Sequence, residues 1–74
     1  MTAIITGKSG SKTKITNLVK VKVRYNLAAK NSKVTADEFR KLDPNSISGY
    51  VSFIGDQTLV VNLSNTESIM MYDY

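Results

Sequence analysis

The chain has 74 residues, with 10 Lys+Arg against 6 Asp+Glu for a net charge of +4, 42% hydrophobic residues, and no His, Cys or Trp. A disulfide is excluded, a closed zinc site lacks its usual ligands, and covalent catalysis has neither a thiol nor an imidazole to draw on, so a non-catalytic protein without metal or cofactor is expected. The length allows one domain, residues 1–74, whose small core needs tight packing or a partner to hold it.

The first residues, Thr2-Ala3-Ile4-Ile5-Thr6, are short, β-branched and apolar, and Gly7 to Lys12 has the composition of a turn. Residues 1–12 therefore read as a strand or as a flexible N-terminal arm, followed by a loop. Gly7-Lys8-Ser9 lacks the upstream glycine of a phosphate-binding loop and leads toward another strand pattern, not a helix.

Leu18 to Leu27 carries the clearest signal. Val19, Val21, Val23, Tyr25 and Leu27 alternate with Lys20, Lys22, Arg24 and Asn26, the period of a half-buried strand. On that strand Lys20, Lys22 and Arg24 form a row spaced by about 6.6 to 7 Å, near the phosphate spacing of an extended single-stranded nucleic acid. A solvated strand of any protein can carry the same row. Lys30 and Lys33, beyond this strand, are expected on a flanking loop.

Thr35-Ala36-Asp37-Glu38 has the pattern of a capping box, opening a short helix near 36–42 with Phe39 and Leu42 on its buried edge. Asp37 and Glu38, the two adjacent acids, are explained by the cap and the helix dipole in preference to an acid/base pair. Asp43-Pro44 ends the helix.

The remainder reads as strands at Ile47–Ile54, Thr58–Leu63 and Glu67–Tyr72, separated by turns at Gly55-Asp56-Gln57 and Ser64-Asn65-Thr66. This spacing predicts an antiparallel meander, with Thr58–Leu63, apolar on both sides, as its central strand and Gly49 at a bulge or bend. The expected fold is mostly β (α+β): four or five strands in a small bent antiparallel sheet or a partly open five-stranded barrel, with one inserted helix.

In rhythm, Ile47-Ser48-Gly49-Tyr50-Val51-Ser52-Phe53 and Asn65-Thr66-Glu67-Ser68 ahead of Met71-Tyr72 resemble the bent strands and short hairpins of the Sm-like RNA-binding barrels. The resemblance covers the C-terminal segment alone and implies a barrel-like architecture. It assigns no binding residue, because the helix before Leu42 and the absence of Lys or His after Tyr72 depart from that pattern.

Charge is distributed unevenly. Lys8, Lys12, Lys14, Lys20, Lys22, Arg24, Lys30 and Lys33 give residues 1–34 a charge of +8 with no acid, whereas Arg40 and Lys41 face all six acids in residues 35–74, a net of −4. Two functions fit. In the first, Lys20, Lys22 and Arg24 on a strand face and Lys8, Lys12, Lys14, Lys30 and Lys33 on flanking loops form a weakly sequence-specific nucleic-acid-binding surface, for DNA or RNA, although Tyr25 falls on the apolar face and Tyr50, Phe53, Tyr72 and Tyr74 lie in the acidic half. In the second, the chain is a small structural or protein-interaction subunit, virus-encoded or accessory, that pairs with a protein or with itself through Met70, Tyr72 and Tyr74. No apolar run reaches the about 20 residues a membrane helix needs, and the N-terminal residues lack the pattern of a signal peptide. A cytoplasmic location is expected, or the inside of a host cell or virion if the protein is virus-encoded.

Overall fold

A computed structural model describes residues 1–26 and 30–73 of the chain. Leu27 and Tyr74, both singled out from the sequence, lie outside the described residues. Seven strands and one helix follow in order: β1 (Thr2–Gly7), β2 (Lys12–Ile15), β3 (Lys20–Tyr25), β4 (Lys30–Thr35), α1 (Ala36–Arg40), β5 (Tyr50–Ile54), β6 (Thr58–Asn62) and β7 (Thr66–Tyr72). They form two antiparallel sheets, β2-β1-β7 and β4-β3-β5-β6. The fold is the expected mostly β one, with more strands, and they do not close into a barrel.

One core joins the sheets. Ala3, Ile5 and Ile15 of the first pack with Val21, Val23, Val51 and Phe53 of the second, and Leu18, Ala36, Phe39 and Ile47 seal the margin. The rings of Phe39 and Phe53 meet edge to face, with centroids 5.6 Å apart and planes at 85°. Such a pair contributes about 0.5–1.5 kcal/mol beyond the area it buries. It fastens α1 to the four-stranded sheet.

The alternation in β3 holds where it matters, with Val21 and Val23 fully buried and Lys20, Lys22 and Arg24 exposed. The apolar row nevertheless begins later than its sequence period implies. Val19 is 60% exposed and Leu18 enters the core instead. Asn17, at φ 53°, turns the chain just ahead of β3, and the Leu18 amide donates to the Met1 carbonyl at 2.7 Å.

Local chemistry also governs α1. The Thr35 side chain accepts from the Glu38 amide at 3.1 Å while the Glu38 carboxylate accepts from the Thr35 amide at 3.0 Å, the reciprocal capping box. After the helix, Asp43 caps a single 3-10 turn at Pro44–Ser46 by accepting from the Asn45 amide at 2.9 Å.

Three expectations are corrected by pairing between distant segments. Of the two readings of residues 1–12, strand and arm, residues 2–7 take the strand: β1 is the middle strand of its sheet, with Ala3 fully buried. Lys30 and Lys33, expected on a loop, belong instead to β4, which pairs with β3 from Lys20↔Thr35 to Tyr25↔Lys30, and Lys12 and Lys14, also expected on a loop, belong to β2. An edge strand is held by backbone hydrogen bonds on one side and needs few apolar residues, so its polar sequence carries no strand signal.

The third correction concerns the meander, which stops after two strands. β6 pairs with β5 alone and is an edge, not the centre, and β7 crosses to the other sheet to pair with β1 from Thr2↔Tyr72 to Gly7↔Thr66. The crossing is made by a 3-10 turn at Leu63–Asn65, where the Asn62 side chain accepts from the Ser64 amide at 3.0 Å and from its hydroxyl at 2.8 Å. β1 is apolar over most of its length and needs a neighbour on each side; β2 and β7 supply them.

The β5–β6 turn is locked to the segment before β3. Asp56 accepts from the Thr16 hydroxyl at 2.5 Å and from the Asn17 side-chain amide at 2.9 Å, and its own amide donates to the Thr16 carbonyl at 3.0 Å. Gly55 is required there, because a Cβ would stand 2.6 Å from the Thr16 carbonyl oxygen.

Candidate functional site

The outer face of the four-stranded sheet follows from the register. Lys20, Lys22 and Arg24 of β3 lie directly opposite Thr35, Lys33 and Asn31 of β4. On the other side Lys20 and Lys22 lie opposite Ile54 and Ser52 of β5, which in turn face Thr58 and Val60 of β6. Directly opposed residues share a face, so Lys20, Lys22, Arg24 and Lys33 form one basic cluster. All four are exposed, and no acid falls at the outward positions of these strands.

The acids are used elsewhere. Asp37 pairs with Arg40 at 2.8 Å and with Lys41 at 3.4 Å, and Arg40 also reaches Asp73 at 2.7 Å, tying α1 to the end of β7. Lys41 above all, with Arg40, holds the Asp37 carboxyl below its ordinary range. The Thr35 amide does the same to Glu38, and the hydrogen bonds from Thr16 and Asn17 do it to Asp56. Among the described residues, none of Lys20, Lys22, Arg24 and Lys33 takes part in an ion pair. Among the described residues, the charge of the cluster is therefore not offset by an acid.

The other cations singled out from the sequence do not join it. Lys12 and Lys14 are exposed on β2, opposite Thr6 and Ile4, and so belong to the outer face of the three-stranded sheet. Lys8 sits in the β1–β2 turn. Lys30 opens β4 at the register position opposite Tyr25.

Tyr50, set apart from the cations in the acidic half of the sequence, lies on this face. It begins β5 two positions before Ser52, on the same outer face as the basic cluster, and is 67% exposed. Gly49, at φ 77°, bends the chain into β5, and the Ser48 amide donates to the Arg24 carbonyl at 3.1 Å, which holds this bend against the end of β3. No local signal announces that β5 pairs with β3.

The C-terminal residues behave differently from one another. Met70 is 51% exposed in a row with Ile4 and Lys14, Tyr72 is half-buried opposite Thr2, and Met71 packs against the core. Removing the chain from Met70 onward would take away the partners of Thr2, Ala3 and Ile4, so truncation there probes the fold before it probes an interface. An open apolar groove of about 700 Å³ runs where the sheets part beside α1, lined by Phe39, Leu42, Ile47, Leu63, Ile69 and Met71.

Among the described residues there is no cluster of His, Cys, Asp and Glu suited to a metal ion, and no helix long and apolar enough to cross a membrane. The fold and face together define a small two-sheet β protein with one basic sheet surface. Comparison with protein-family models, curated proteins and solved structures finds no match.

Proposed function

We propose that this protein is a non-catalytic nucleic-acid-binding module that grips the phosphate backbone with weak sequence preference. The observation that carries the reading is the cluster of Lys20, Lys22, Arg24 and Lys33 on one sheet face with no ion-paired acid among the described residues. Lysines neutralise phosphates while carrying little base information, so affinity comes mainly from counterion release and falls with salt. Four contacts to a single strand give a slope of about −3 in log affinity against log salt.

The test is a fluorescence-anisotropy titration of a labelled single-stranded oligonucleotide between about 50 and about 500 mM salt. Changing Lys20, Lys22 and Arg24 together to Gln should lower affinity steeply and reduce the salt slope by about 2, with the thermal melt no lower, because these side chains are exposed and the repulsion between Lys22 and Lys33 is relieved. Full affinity in the triple variant would overturn the reading.

A second reading, a small structural or protein-interaction subunit, is favoured by one specific feature. β6 is a sheet edge without a charged residue, and its Val60 is 56% exposed. The other edges carry charge: Lys12 and Lys14 on β2, Lys33 on β4 and Glu67 on β7. Charged side chains discourage edge-to-edge pairing, and β6 has no such guard.

A further inference from the structure

We infer that Tyr50 is a base-stacking residue of the basic face, and that the ligand this face selects is a single-stranded nucleic acid with unpaired bases. The inference rests on the reading of the cluster as phosphate-binding and adds what that cluster alone lacks, a surface for the bases.

Packing does not explain this tyrosine. Val51 and Phe53, the inward residues of β5, are both fully buried, whereas Tyr50 remains 67% exposed. Among the described residues the paired aromatic rings are Phe39 and Phe53, and the Tyr50 side chain makes no hydrogen bond or ring contact. A polar residue would suit the solvent as well. Its position, by contrast, is specific: Tyr50 stands at the end of the sheet face where Arg24 closes the basic row, beside the bend at Gly49.

The geometry distinguishes ligands. An extended single strand that lays its phosphates along Lys20, Lys22 and Arg24 has its bases free, and an aromatic ring beside the row offers one of them a stacking partner regardless of its identity. A duplex keeps its bases stacked inside and gives Tyr50 nothing to stack on. A polyanion without bases meets the cations alone. The combination of a basic row with one exposed ring thus favours single strands over both.

The experiment uses the full chain and four labelled probes at low salt: thymidine and uridine homopolymers, a duplex of the same length, and inorganic polyphosphate. Tyr50→Ala should weaken homopolymer binding about tenfold, the order expected for one stacked base, and leave polyphosphate binding unchanged. Tyr50→Phe should bind as the unaltered protein does, since the ring is what stacks. A loss on either homopolymer supports the inference. Unchanged homopolymer binding by Tyr50→Ala, or an equal loss on polyphosphate, would overturn the stacking role while leaving the phosphate-binding face in place. If the unaltered protein takes up none of the four probes, the reading of the face itself fails, and the stacking role with it.

Discussion

Lys22 on β3 and Lys33 on β4 stand directly opposite one another on the outer face of the four-stranded sheet, both exposed and neither ion-paired among the described residues. Directly opposed side chains on neighbouring strands have Cβ atoms about 4.5–5.5 Å apart, and like charges there oppose folding. Fold stability alone would favour an acid at one of the two positions. An anion bound between the two would relieve that repulsion.

That conflict gives a prediction with opposite signs. Lys33→Glu should raise stability by about 0.2–1 kcal/mol, a few degrees in the midpoint of a thermal melt for a domain of this size, by replacing repulsion with attraction across the strands. The same change should weaken oligonucleotide binding and flatten its salt dependence. A melt and an anisotropy titration on one preparation check both. A stabilised variant with undiminished affinity would remove Lys33 from the binding face.

The uncharged edge of β6 makes the assembly reading testable. On that reading the protein elutes as an oligomer whose light-scattering mass is the same at about 50 and about 500 mM salt, and Val60→Lys returns it to the 8.2 kDa of a single chain. Val60 is exposed, so the substitution leaves the core untouched. A monomer at both salt concentrations, with Val60→Lys indistinguishable from it, would set this reading aside.

Acid should loosen the junction between the β5–β6 turn and the segment before β3. The Thr16 hydroxyl and Asn17 amide hold the Asp56 carboxyl below its ordinary 3.8. A depressed carboxylate contributes stability that is present above its unfolded value and is lost as pH falls through the folded one. Asp37 and Glu38, also depressed, act in the same direction. Stability should be level at neutral pH and decline below the ordinary value of 3.8 for Asp56. Asp56→Asn should be less stable at neutral pH and show a shallower acid decline, as thermal melts across the pH range would report.

What the residues alone determined about this protein was local. The alternation of Val21 and Val23 with Lys20, Lys22 and Arg24 marks β3 because successive strand residues point to opposite faces. Thr35 and Glu38 mark the start of α1 because the cap closes within a single turn. Neither depends on a distant segment. The tertiary structure decided which strands meet, and with that which charges act together. β4 carries few apolar residues because backbone pairing to β3 holds it, so only the folded sheet shows Lys33 beside Lys22. β6 looks central from its composition and lies at an edge, because the turn at Leu63–Asn65 sends β7 across to β1. Tyr50 joins the basic face because β5 pairs with β3, bringing the acidic half of the chain alongside the basic half. Such pairings depend on register between residues far apart in the chain, and a period of two along one strand defines its faces without naming its neighbours.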